Sequence, residues 1–188
     1  METFHFVDMY NITGRGFNYY PDRNPAVGDI VRFSSTTALP GRSRRWPCSI
    51  FVNDANDNSC FGTVARDGLN PITMSHQDGR LAQFLETYGN NVRMIGIVRT
   101  VVPVLLYEVA IYLRLNAAGG LDHLSHDALL MLIDPHRLLN QRAVGVGFPN
   151  FGGLPGGGGN LTLNPLDTTG LINVVPESIT LPDHIFPP

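Results

Sequence analysis

The sequence predicts a mainly β protein: an antiparallel β-sandwich of jelly-roll or Greek-key type, with two helices in the connections and an extended C-terminal arm. Three observations carry that expectation. Apolar residues alternate with period two in several separate segments, two intervals carry helical stripes, and glycine and proline number 20 and 14 in 188 residues. Alternation marks half-buried strands, and abundant glycine and proline mark the turns between them. Long connections that hold helices suit a Greek key better than a parallel sheet.

The alternating segments are Phe4 to Met9, Val27 to Phe33, Ser49 to Val52, Phe61 to Ala65, Val92 to Arg99 and Val104 to Leu115. In the last, Leu105, Tyr107, Val109, Ile111, Leu113 and Leu115 share one parity, and Glu108, Ala110, Tyr112 and Arg114 share the other. That pattern predicts a long strand with one core face and one solvated face. A first helix is expected over 76–88, where Ser75 with Asp78 three residues on forms a capping box. Leu81, Phe84, Leu85 and Tyr88 then fall on one stripe, and Gly89 supplies the stop. A second helical region is expected over 122–139, because the unbroken run Leu129 to Ile133 implies burial on most sides.

From Ala143 the pattern changes, with glycines at 145, 147, 152, 153 and 156 to 159. The chain therefore divides into a β-rich core domain, 1–142, and a Gly/Pro-rich strap with an extended C-terminal arm, 143–188. The stretch Pro182 to Pro188 carries Ile185 and Phe186 and almost no charge. An apolar extended tail is expected to lie against a neighbour, and pairing with an exposed sheet edge is a common way to do so.

Charge narrows the function classes. The chain has 13 arginines and no lysine, although a soluble protein of this length would carry about ten lysines. Arginine is weakly hydrated, forks onto carboxylates and suits buried interfaces, whereas the lysine ammonium is strongly hydrated and a target of acylation. Charged residues make up 15% of the chain, below the usual quarter, and 43% of residues are apolar, so the surface favours association. Arg42, Arg44 and Arg45 form the one basic cluster, too short for a nucleic-acid arm on a chain of net charge -3. No direct nucleic-acid binding is expected. Nor is membrane insertion, since the longest apolar run, Val101 to Tyr107, contains Pro103 and is too short to span a bilayer. Cys48 and Cys60 make no disulfide framework and are expected to be free and buried.

Several residues invite a chemical role. His123 and His126 could give a metal two imidazoles, with Asp122, Asp127 and His136 nearby, but a third ligand is not supplied by spacing, and Asp122, Ser125 and Asp127 also suit a helix start. Asn53 to Asn58 alternates oxygens as calcium loops do, yet Ser59 and Ala65 stand where such a loop needs glycine and glutamate. Gly156 to Gly159 lacks the lysine of a phosphate loop. Neither cysteine has an adjacent histidine to activate it. No cofactor, metal or catalytic residue is therefore assigned, and the chain is read as no enzyme.

One enzyme resemblance runs the other way. The opening His5 to Phe17, with Asn11-Ile12 and Gly14-Arg15-Gly16-Phe17, and the later Ser34-Ser35-Thr36, resembles the nucleotide-binding strands of ADP-ribosyltransferases, whose toxin members often avoid lysine. The resemblance covers under a fifth of the chain. It implies NAD as substrate and Glu108 as the transfer residue, but Glu108 stands alone, without the paired acidic motif of that family.

The reading that unites composition and pattern is a structural protein of a large assembly. It is expected to be a virion component, a minor capsid, decoration or cementing protein made in the host cytoplasm that acts through subunit contacts and arm exchange, with other capsid or assembly subunits as partners in a homo-oligomer or hetero-assembly. Arg42, Arg44 and Arg45 would fork onto acidic partner surfaces, and Phe148, Phe151, Ile185 and Phe186 would anchor the arm.

Overall fold

The computed structural model describes residues 1–13, 24–38, 45–52, 60–64, 77–102, 106–114, 128, 131–133, 160–162 and 175–183. Its strands are β1 (Glu2–Thr13), β2 (Ile30–Ala38), β3 (Arg45–Phe51), β4 (Gly62–Thr63), β5 (Arg93–Val102), β6 (Leu106–Arg114), β7 (Asn160–Thr162) and β8 (Ser178–Leu181). A helix, α1, spans Gln77–Tyr88. Ala128, Met131 and Leu132 are also helical, inside the second interval expected for a helix.

All eight strands join one open sheet in the order β4-β3-β2-β5-β6-β1-β8-β7. Neighbours from β4 to β8 run antiparallel, and β7 lies parallel to β8 at the edge. The protein is thus mainly β, and among the described residues there is no second sheet. Each alternating segment of the sequence contributes a strand, because only an extended chain sends successive side chains to opposite faces.

β1 organises the centre. It pairs with β6 from Phe4↔Arg114 to Thr13↔Leu106, with the register shifting between Phe6 and Asp8. Its first residues pair on the other side with β8, from Glu2↔Leu181 to His5↔Ser178. Before β2 the chain turns at Gly28, whose φ of 91° belongs to the left-handed region that glycine enters without a Cβ clash. Asp29 stabilises that turn by accepting the Ala26 amide at 2.7 Å.

The two faces of the sheet are both buried. On the first, Val7, Tyr10, Ile12, Val31, Phe33, Met94, Val98, Tyr107, Val109, Ile111 and Leu113 pack with Leu81, Ala82, Phe84 and Leu85 of α1 and with Ala128, Leu132 and Ile133. Exposed Gln83, Glu86 and Thr87 mark the outer side of the helix, so the apolar stripe faces the sheet as its spacing requires. Ser75, the expected cap, lies outside the described residues.

On the second face, Phe4, Phe6, Ile30, Ile95, Ile97, Ala110, Tyr112, Ile179 and Leu181 form a separate buried cluster. This corrects the expectation of a solvated face on the long strand: Ala110 and Tyr112 are fully buried, and Glu108 and Arg114 are half-buried. Alternation of polarity was read as alternation of exposure, but alanine and tyrosine bury readily once something covers them. Here the Tyr112 hydroxyl donates to the Pro176 carbonyl at 2.7 Å, so its polar end is satisfied.

Sheet packing tolerates no side chain at Gly96. A Cβ there would sit 2.6 Å from Val109 Cγ1 and 3.1 Å from Phe33 Cε2. Gly96→Ala is expected to cost about 2 kcal/mol by overpacking against a stiff β-branched neighbour. A denaturation midpoint equal to the parent's would show that Val109 moves aside freely.

Candidate functional site

A charged cluster lies at one end of the second face, and strand register builds it. Arg93 opens β5 directly opposite Arg114 at the end of β6, and Arg114 in turn faces Phe4 of β1. Glu2, two residues before Phe4, has the same parity and so projects from the same face. Its Oε1 accepts a hydrogen bond from Arg93 Nη1 and lies 2.9 Å from Arg114 Nη1. The carboxylate side chain is 5% exposed, whereas those of Arg93 and Arg114 are 32% and 28% exposed. Among the described residues, buried Glu2 Oε2 has no hydrogen-bond partner.

The surroundings extend this cluster. The ammonium of Met1 donates to Asp183 Oδ2 at 2.7 Å, just beyond β8. That hydrogen bond holds the Asp183 carboxyl below its usual range, and the charges of Arg114 and Arg93 act in the same direction. Burial lowers the pKa of the Arg93 guanidinium, the nearby Arg114 charge adds to the shift, and Asp183 opposes it.

Chemically, such a cluster clips strands together. Guanidiniums keep their protons at any ordinary pH, so they can hold a carboxylate or recognise an anion but cannot relay a proton. No group of three His, Cys, Asp or Glu side chains suited to a metal occurs among the described residues. None of the described helices is long and apolar enough to cross a membrane.

At the opposite end of the second face, Glu108 lies on β6 opposite Asn11 of β1 and Thr100 of β5. It is half-buried in a ladder. Arg99, at the register shift of β5, has a buried Nη1 with no hydrogen-bond partner among the described residues. On the first face, His5 stands opposite Ser178, and burial lowers its pKa. The Tyr10 hydroxyl donates to the Leu132 carbonyl and its ring lies 6.0 Å from the Arg80 guanidinium carbon.

Most residues expected to make contacts lie elsewhere. Arg42, Arg44, Phe148, Phe151, Ile185 and Phe186, and the metal candidates His123 and His126, lie outside the described residues. Arg45 begins β3, and only its backbone is described. Cys48 and Cys60 are buried free thiols packed around Ile50. Sequence reasoning missed the Glu2, Arg93 and Arg114 cluster. Its one signal was that Glu2 shares parity with Phe4 and Phe6, so a carboxylate had to enter an apolar face; which cations would meet it depends on register, which no local pattern reveals.

No family model, curated protein or solved structure matches the chain.

Proposed function

We propose that this chain is a structural protein of a large assembly, a virion component of the minor-capsid, decoration or cementing kind that acts through contacts with other subunits. The observation that carries the reading is the charge: 13 arginines, no lysine, and a low total of charged residues. A surface so composed is weakly hydrated and forks readily onto carboxylates, as interface does. Glu2, clasped by Arg93 and Arg114, is an example of that fork within the subunit itself.

Strand order supports a finer reading of the fold as a Greek-key sandwich. β2, β3 and β4 follow one another and pair in turn, and β5 returns to lie beside β2, which is Greek-key order. The buried second face is where a second layer of such a sandwich would sit.

Light scattering across a concentration series tests the assembly reading. A closed oligomer or larger particle is expected, and a clean monomer at every concentration would count against it.

A further inference from the structure

Among the described residues, the sheet is made of two blocks of sequence joined by one ladder. Strands β4, β3, β2, β5, β6 and β1 all come from residues 2–114, and β8 with β7 come from residues 160–181. Among the described residues, backbone pairing between the blocks consists of the β1–β8 ladder, Glu2↔Leu181 through His5↔Ser178, and the Phe6 amide bonded to the Glu177 carbonyl at 2.8 Å. Side chains reinforce that seam: the Thr3 and Thr180 hydroxyls lie 3.0 Å apart and Tyr112 bonds Pro176. Ile179 and Leu181 are fully buried against the second-face cluster.

We propose that the β7–β8 block is an exchangeable element, and that its seat along β1 takes the same block from a second copy of this chain. The inference rests on the assembly reading and names its partner and contact. Three features point to it. The block is a unit, since β7 pairs only with β8 among the described strands. Its seat is an extended strand edge beside the apolar second-face cluster that receives Ile179 and Leu181, so an arriving copy recovers every hydrogen bond and every buried side chain that the departing one gives up. The chain leading into it contains Gly156 to Gly159, with no Cβ to oppose a changed backbone path. Exchange therefore alters which copy supplies the block while leaving the contacts alike, which is the low-cost route to linked subunits.

Directly opposed residues in an antiparallel pair lie within disulfide reach, so Thr3 and Thr180 supply the test. Two tagged chains, one carrying Thr3→Cys and the other Thr180→Cys, are co-expressed, oxidised and run on a non-reducing gel beside the wild type, which sets the background from Cys48 and Cys60. Exchange predicts a mixed disulfide dimer that neither single variant forms alone. The double variant in one chain serves as a folding control, because it can close a bridge whichever copy supplies β8. If the double variant bridges only within one chain and the mixed pair gives no dimer, the proposal is overturned. Light scattering on the same preparations separates the two ideas, since assembly without the mixed disulfide overturns exchange and leaves the assembly reading standing.

Discussion

Glu2→Ala is expected to lower the unfolding free energy by about 3 kcal/mol, the scale of an ion pair broken by removing one buried partner. The carboxylate is almost wholly buried and is the negative charge that both Arg93 and Arg114 approach most closely in the cluster. Without it the two guanidiniums, opposite each other in the β5–β6 ladder, are left to repel. Glu2→Gln should cost nearly as much, since it keeps the shape and removes only the charge. Arg114→Met should cost less, because Glu2 retains Arg93. Urea denaturation resolves these differences as shifts of midpoint at constant slope. A loss below about 0.5 kcal/mol for Glu2→Ala would class the cluster with exposed surface pairs and refute its role as a clip.

The largest single effect is expected at Phe84. Its ring is fully buried under the sheet, 5.2 Å from the Tyr88 ring, on the helix stripe that also carries Leu81 and Leu85. Phe84→Ala removes that ring from a cluster with no solvent access and leaves a cavity. Losses of this kind run to about 4 kcal/mol, or roughly 10 °C in melting temperature for a chain of this size. Helix content by circular dichroism should survive below the transition, since alanine is the better helix former. A melting temperature within about 2 °C of the parent would mean that α1 contributes little to holding the sheet.

The strands were legible because each is defined by its own period. Phe4, Phe6, Ile95, Ile97, Val109 and Ile111 sit two apart in their segments, and no partner strand is needed to see it. The stripe of α1 was legible for the same reason. What escaped is what depends on partners. Tyr112 and Ala110 were placed on a solvated face because their neighbours Glu108 and Arg114 are charged; the structure buries them, and only the Pro176 contact explains where the tyrosine hydroxyl goes. The charged cluster escaped likewise, since Glu2 and Arg93 are 91 positions apart. Ile179 to Leu181 falls within the interval expected to be strap and arm, and nothing local tells that its seat is the outer side of β1. Register and strand order are global quantities, and one sequence carries them only weakly.

The β1–β8 seam between the two blocks also has a meaning during synthesis. A ribosome delivers residues 2–114 well before residues 160–181, so six strands can pair while the outer side of β1 is still bare. In that interval Phe4 and Phe6 and an open row of backbone amides wait for a strand not yet made, and the waiting lasts seconds at ordinary elongation rates. Crowded sister chains on one message would then offer competing β8 strands at high local concentration. The timing of translation, as much as the final free energy, would decide which copy fills the seat.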